Sequence, residues 1–462
     1  MAKERVRYVC SNCGRVAPTF LGRCPKCNEF GTMEKEVIES ASTTGRRGKK
    51  ASAPLSFMSR PKKLADIKAD GRERLSLPLI EFARVLGGGV VPGSLILLGG
   101  EPGIGKSTIL LDVADMVAKA HGPVLYVSGE ESLQQIKMRA DRLGVKCDDL
   151  YLVTETSVSS MLHHVREINP VMVIIDSIQT SVTDDSNSAA GSVSPVRHCA
   201  AKFQELAKTS GITVFLVGHA TKTGTIAGPR VLEHIVDTVL YLEGDQFHRF
   251  RLLRSVKNRF GATNEVGVFE MDAQGMQEVA NPSEAFLAER QVNAPGSAIA
   301  VTMEGTRPLL VEIQALASST AFANPRRTAN GVDHNRLLLV SAVLSKRVRV
   351  KLFDKDIFAN VIGGLTIDEP AADLALAIAI VSSSRDLPVH ADLAFVGEVG
   401  LSGELRAVSQ IEQRLKEASK LGFKRCVVPR LQGKRVKNVP DGMKLISCRS
   451  LNEAVDTALI LK

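Results

Sequence analysis

The sequence predicts an α/β chain of several domains, and three observations predict it. Between residues 66 and 280 near-continuous apolar stretches alternate with amphipathic ones, the pattern of a parallel sheet covered by helices on both faces. One such stretch, residues 95–98, runs into Gly100-x-x-x-x-Gly105-Lys106-Ser107, a glycine-rich turn that opens a helix. Four of the eight cysteines crowd into residues 10–27, a segment too short to bury a core of its own. The 462 residues suffice for two or three domains. They divide into a cysteine module over 1–30, a linker over 31–65, a nucleotide-binding core over 66–280 and an α+β domain over 281–462.

Composition excludes some classes before any motif is weighed. With 44% hydrophobic and 24% charged residues the chain is globular, and no apolar run reaches the ~18 residues of a membrane span. The opening MAKERVRYVC lacks the apolar stretch of a secretory signal, so a cytoplasmic protein without a membrane partner is expected. A net charge of +9 suits a polyanion without requiring one. With no Trp and only four Tyr, stacking on an aromatic platform is a poor candidate for the main mode of single-strand binding.

In chain order, Cys10, Cys13, Cys24 and Cys27 form C-x₂-C-x₁₀-C-x₂-C. Each pair places two thiolates on one turn, and two turns close a tetrahedron around Zn²⁺ with no open position, so the metal is structural. Residues 46–63 hold seven Lys/Arg and no acid, as a solvated tether or a phosphate contact would.

The core reads as strands at 94–99, 124–128, 150–154, 171–176 and 213–218. Helices fall at 109–118, 132–143, 158–168 and 195–208, and two further strands, 238–242 and 249–256, extend the sheet. Residues Gly100, Glu101, Pro102, Gly103, Ile104, Gly105, Lys106, Ser107 and Thr108 form the phosphate cradle. There backbone N–H groups and a helix N-terminus meet anionic oxygens, Lys106 reaches the β- and γ-phosphates of ATP and Ser107 ligates Mg²⁺. Chemistry in such a sheet sits at the carboxyl ends of the strands. Asp176 ends one strand and is placed to hold Mg²⁺ through water. Glu130 follows another and can orient the attacking water, with Glu131 as its competitor. His219 ends a third, where a γ-phosphate sensor would sit. Next comes TKTGTIAGPR, residues 221–230, a glycine-containing loop carrying Lys222 and Arg230.

The order LGGGVVPGSLILLGGEPGIGKST, LYVSGEES, VMVIIDS, VGHATKTG resembles the RecA family of ATPases. The run Lys257-Asn258-Arg259-Phe260-Gly261, with a zinc module in front, is similar to the bacterial RadA (Sms) group. That resemblance implies a homo-hexameric, DNA-dependent ring motor on single-stranded and branched DNA in recombination, partnered with the RecA recombinase. It also implies that Lys257 and Arg259 act across a subunit boundary. The turn carrying them is expected at the far edge of the sheet.

Beyond residue 281, strands are expected at 301–313 and 345–352 and helices at 371–383 and 410–421. On a strand over 345–352, Arg347, Arg349 and Lys351 would share one face and could contact DNA phosphates. The stretches IDEPAADLALA and FVGEVGLSGELRAVSQIEQR resemble the proteolytic domain of Lon. The nucleophilic Ser of that family is here Ala371, and its Lys is Arg414. Alanine has no nucleophile and a guanidinium does not give up its proton, so the fold is expected without the peptidase.

Overall fold

The computed structural model describes residues 5–10, 16–17, 19, 22–25, 30, 33–38, 73–183, 191–219, 232–244, 249–263, 265–320, 324–430 and 436–460. These fall into two compact units, residues 1–69 and 70–462. In the first, β1 (Arg5–Cys10) pairs antiparallel with β2 (Val16–Ala17) and with β3 (Met33–Ile38), where Cys10 lies opposite Met33. The expected linker therefore does not begin at residue 31: six of its first residues are a sheet strand. Its basic part, residues 46–63, lies outside the described residues.

The second unit opens with α1 (Ile80–Val85) and then alternates strand and helix. The series is β4 (Leu95–Gly100), α2 (Lys106–His121), β5 (Val124–Ser128), α3 (Leu133–Leu143), β6 (Leu150–Thr154), α4 (Val158–Ile168), β7 (Met172–Asp176), α5 (Val193–Ser210) and β8 (Thr213–His219). Four strands follow: β9 (Thr238–Glu243), β10 (Phe250–Asn258), β11 (Val266–Asp272) and β12 (Gly275–Glu278). They form one sheet in the order β12-β11-β10-β9-β4-β8-β7-β5-β6, parallel from β9 to β6 and antiparallel from β9 to β12. Strands β4, β5 and β7 are buried throughout, and the period-two alternation of their side chains sorts them onto two faces. Ile96, Leu98, Tyr126 and Ile174 pack in one core cluster with residues of α1, α2 and α3. Leu95, Leu97, Val127 and Ile175 pack in another with α4 and α5.

The antiparallel wing corrects two expectations. It has four strands, not two, and β10 is the third strand from the edge, so the turn after it is not at the sheet's far edge. The missed strands, VGVFEMD and GMQE, are a hairpin turning through residues 273–274.

After α6 (Pro282–Leu287) come β13 (Ser297–Glu304), β14 (Arg307–Ser319), β15 (Arg327–Asn330), α7 (His334–Arg347), β16 (Lys355–Val361) and α8 (Asp373–Arg385). The chain ends with β17 (Leu393–Phe395), β18 (Glu398–Val399), β19 (Leu405–Arg406), α9 (Ile411–Lys420), β20 (Arg425–Pro429), β21 (Lys444–Cys448) and α10 (Leu451–Ala458). A mixed sheet runs β15-β16-β14-β13-β17-β20-β21, and α8, buried along residues 373–382, packs on β13 and β14. Strands β13 and β14 are a hairpin turning at Gly305, in place of the single strand expected over 301–313.

The strand expected over 345–352 is absent. Asp333 caps α7 by accepting a hydrogen bond from Arg336 N, and Leu337, Val340 and Leu344 recur at helical spacing on its buried side. The helix therefore runs on to Arg347. Arg349 then adopts a left-handed φ of +60°, outside the extended region of a regular strand. The alternation survives without the strand: Val348, Val350 and Leu352 are buried, whereas Arg347, Arg349 and Lys351 are exposed.

The wing and this second domain share a core. Leu252 and Val268 cluster with Leu309 and Val311. Around that core Arg307 pairs with Glu81, and Arg254 bridges Glu243 and Glu304.

Candidate active site

Strand β4 delivers the phosphate loop, and α2 begins directly after it. Gly105 caps α2 with φ +114°, and a Cβ there would lie 2.5 Å from the Met276 methyl and 2.6 Å from that of Met271. Only glycine fits. Ile104 is buried and anchors the loop from below, while Glu101, Pro102, Gly103 and Ser107 remain accessible. Thr108 is buried in the first turn of α2.

Lys106 is 4% exposed. Its Nζ donates to the carbonyls of Gly100 (2.9 Å) and Glu101 (2.8 Å), bending over the hollow of the loop. Burial lowers its pKa to about 8, against the raising effect of Asp176 and Glu130 nearby. The ammonium is thus held in a poorly solvated place, which an incoming polyanion relieves.

Two carboxylates stand at the carboxyl ends of neighbouring strands. Asp176 ends β7, where its Oδ2 accepts a hydrogen bond from the buried Tyr126 hydroxyl at 2.5 Å. Glu130 follows β5, and its Oε1 accepts from Ser177 Oγ at 2.7 Å and lies 3.3 Å from His219 Nε2. Its competitor Glu131 is engaged with Arg139 of α3. His219 ends β8 in register with Gly100, which brings it to the same rim as the phosphate loop. Lys106, Asp176, Glu130 and His219 are therefore assembled around one site, with Tyr126 and Ser177 as partners that the sequence motifs did not identify. Lys222 and Arg230 lie outside the described residues.

The Lys257–Gly261 segment is elsewhere. Asn258 pairs with Thr238, and Thr238 with Ile96, four residues before Gly100. At ~3.3 Å per residue that is roughly 13 Å of strand, so the segment sits at the opposite end of the sheet from its own phosphate loop. Lys257 Nζ donates to the carbonyls of Glu233 (2.5 Å) and Val236 (2.8 Å). Desolvation, then the neighbouring Arg259, lower its pKa. Arg259 Nη1 reaches Asp237 Oδ1 at 3.2 Å. Buried Asp237 is the organiser here and went unremarked in the sequence: its other oxygen takes Leu95 N and Lys208 Nζ. Asn258 Oδ1 accepts from Phe260 N, and Arg74 holds the Phe260 carbonyl at 2.6 Å. Gly261 packs closely against Gly87: a Cβ at either would lie 3.1–3.2 Å from the other's Cα.

In the cysteine module, Cys10 ends β1 and Cys24 is fully buried. Cys13 and Cys27 lie outside the described residues. In the second domain Ala371 and Arg414 are both buried. Arg414 Nη1 donates to Val301 O at 2.7 Å and to Glu369 Oε2 at 2.9 Å, and its Nε to Ser409 O at 3.0 Å.

Comparison with known proteins places this geometry. An AAA domain model matches residues 68–225, the model of the Lon protease (S16) C-terminal proteolytic domain matches 339–461, and a rubredoxin metal binding domain model of zinc-ribbon type matches 8–35. The DNA repair protein RadA of Bacillus subtilis is 50% identical over 461 residues, 99% of this chain and 100% of that one. The chain belongs to the RadA family. The RadA of Halalkalibacterium halodurans is 47% identical over 99% of this chain and 100% of its own length. The RadA of Streptococcus pyogenes serotype M1 is 48% identical over 99% of both.

This RadA-family chain thus joins a zinc ribbon, a RecA-like ATPase core with a mainly parallel sheet and a Lon-like domain. Its cofactors are ATP with Mg²⁺ at the core and Zn²⁺ at the ribbon. The residues present fit them: a desolvated ammonium under the loop and a carboxylate at the end of β7 suit MgATP, and a thiol buried in a small module suits a structural metal. Among the described residues no helix is long and apolar enough to cross a membrane.

Proposed function

We propose that this chain is a DNA-dependent ATPase acting on recombination intermediates in DNA repair. It works as a homo-hexameric ring that binds single-stranded DNA and drives branch migration or unwinding alongside strand exchange by a RecA recombinase. The observation that carries the reading is the placement of two basic clusters at opposite ends of one sheet. Lys106 serves its own phosphate loop, whereas Asn258 in the Lys257–Gly261 segment lies level with a point roughly 13 Å back along β4, and Lys257 is turned to the carbonyls of Glu233 and Val236. A ring supplies what a monomer lacks, because each subunit's Lys257–Gly261 segment can face the next subunit's ATP. The names of the relatives, each a DNA repair protein, support the process.

In this reading the phosphate loop and Lys106 hold the β- and γ-phosphates, Asp176 and Ser107 hold Mg²⁺, and Glu130 orients the water. When bound, Mg²⁺ neutralises charge that builds on the phosphate oxygens. Lys257 and Arg259 add positive charge from the neighbour. No covalent protein intermediate is needed. His219 senses the γ-phosphate and passes its presence to Lys222 and Arg230, which contact DNA together with Arg347, Arg349 and Lys351. The Lon-like domain acts without peptidase activity, since Ala371 offers no nucleophile and buried Arg414 no neutral base.

ATPase rates with and without single-stranded DNA test the reading, alongside electron microscopy with a slowly hydrolysed ATP analogue. A rate unaffected by DNA, or particles that never close into rings, would overturn it. Casein digestion by the purified protein would overturn the peptidase-free assignment.

A further inference from the structure

The two carboxylates of the nucleotide site are each held from behind by a hydroxyl. Tyr126 and Asp176 sit on paired strands, with Tyr126 opposite Ile174 and Ser128 opposite Asp176. They are thus diagonal neighbours on one face of the sheet, a separation that an aromatic side chain spans. Tyr126 is 1% exposed, and its hydroxyl donates to Asp176 Oδ2. That oxygen is occupied, so Oδ1 is the one left to face the site.

Ser177 acts on Glu130 in the same manner. It is also 1% exposed, and its Oγ donates to Glu130 Oε1, which His219 Nε2 approaches from another side. Oε2 is left for a water. The pattern is economical in sequence: Asp176 and Ser177 are consecutive, one a carboxylate of the site and the other the clasp on its partner.

We propose that Tyr126 and Ser177 are positioning residues for ATP hydrolysis, Tyr126 orienting Asp176 toward the hydration shell of Mg²⁺ and Ser177 orienting Glu130 toward the attacking water. The Ser177 half rests on the assignment of Glu130 made above. The Tyr126 half needs only the metal-holding role of Asp176. A rotating carboxylate spends part of its time misdirected, so losing one donor costs rate or metal affinity while the fold keeps its packing. A hydrogen bond to a charged acceptor contributes about 1.5–3 kcal/mol, so effects of roughly ten- to a hundredfold are the scale expected.

The test uses the full-length protein and two readouts that a purely structural hydroxyl would not move selectively. In Tyr126→Phe the Mg²⁺ concentration for half-maximal ATPase should rise about tenfold, while affinity for a fluorescent ADP analogue without Mg²⁺ holds. In Ser177→Ala, kcat should fall about tenfold with KM for ATP steady, and Ser177→Thr, which keeps the hydroxyl, should recover most of it. Thermal melts accompany each variant, and if Ser177→Thr does not fold, Ser177→Cys replaces it as the donor-retaining control. An unchanged Mg²⁺ titration in Tyr126→Phe overturns the first half. An unchanged kcat in Ser177→Ala, or a loss matched by falling stability and rising KM, overturns the second. Glu130→Gln separates the two levels. If it loses turnover while Ser177→Ala does not, the positioning role fails and the Glu130 assignment stands. If Glu130→Gln keeps turnover, the assignment itself fails.

Discussion

Arg414 closes on Glu369 through two guanidinium nitrogens, with no part of the arginine side chain exposed to solvent. Two further donors go to the carbonyls of Val301 and Ser409, and Glu369 Oε2 also takes Met303 N at 2.7 Å and Thr302 Oγ1 at 3.0 Å. The network ties α9 to β13 and to the turn two residues before Ala371. A charge buried this completely is costly to orphan: breaking such a pair from one side typically costs about 3–5 kcal/mol. Glu369→Ala should therefore destabilise the Lon-like domain on that scale. Hydrogen exchange across Ile411–Lys420 should accelerate on the order of a hundredfold or more. Exchange at the wild-type rate would show that the pair is dispensable. Arg414→Lys should also destabilise, because an ammonium cannot make the forked contact. Ala371→Ser alone is not expected to cleave casein, since Arg414 still offers no neutral base.

Lys106 links nucleotide binding to pH. Its pKa in the free protein is lowered to about 8, chiefly by burial. Bound phosphates favour the charged form, so the pKa in the complex lies higher, and binding takes up a proton between the two values. Affinity is then full below pH ~8 and falls as pH rises through it, opposite in sign to the behaviour of a carboxylate. Titration of a fluorescent ATP analogue from pH 7 to 9.5 should show that decline, with proton uptake in buffers of differing ionisation enthalpy. Lys106→Met should bind weakly with a flat profile and have almost no turnover. A wild-type affinity that stays level across this range would exclude Lys106 as the titrating contact.

The zinc ribbon should hold about one Zn²⁺ per chain, and Cys24→Ala or Cys27→Ala should release it, because a module this small takes its folding energy from the metal. The ATPase core has large clusters of its own on both faces of the sheet. It should stay folded when a chelator removes the zinc. Loss of the thermal transition of the core on chelation would show that the modules are not independent.

Arg347, Arg349 and Lys351 do not lie on a strand, but all three are exposed while the residues between them are buried, so each is open to a DNA phosphate. Replacing all three with Ala should weaken DNA binding alike for all sequences. The log–log salt slope should fall by up to ~3 units. An unchanged slope would mean that the surface is simply solvated.

The phosphate loop was legible because its chemistry lies within nine consecutive residues, and so was the parallel core, because buried strands and amphipathic helices differ in period. Tyr126 and Ser177 were not. Each grips a carboxylate fifty or forty-seven residues away in sequence, and only the pairing of β5 with β7 makes them neighbours. Asp237 was hidden for the same reason, since its three partners come from β4, α5 and the turn after β10. The strand expected at 345–352 failed because alternating burial is not unique to strands: a segment lying on a core after a helix can show it too. The short β11–β12 hairpin escaped notice, and with it the interior position of β10.

Lys257 and Arg259 carry the remaining prediction. At rest Lys257 donates to two backbone carbonyls and Arg259 pairs with Asp237, an acid it shares with Lys208, while half of the Arg259 side chain stays exposed. A cation supplied in trans to a transferring phosphoryl group is worth about 10³–10⁵ in rate. Lys257→Ala and Arg259→Ala should therefore keep ATP binding and lose most turnover, whereas Lys106→Ala should lose its own site and keep the cations it lends. Mixing distinguishes this from a folding defect at the turn. In rings assembled from Lys106→Ala and Lys257→Ala subunits, some junctions pair an intact phosphate loop with an intact Lys257. Part of the ATPase should return, with a maximum near equal proportions. If co-assembly is demonstrated by differently tagged subunits and no ratio restores activity, the two basic clusters do not meet across a subunit boundary.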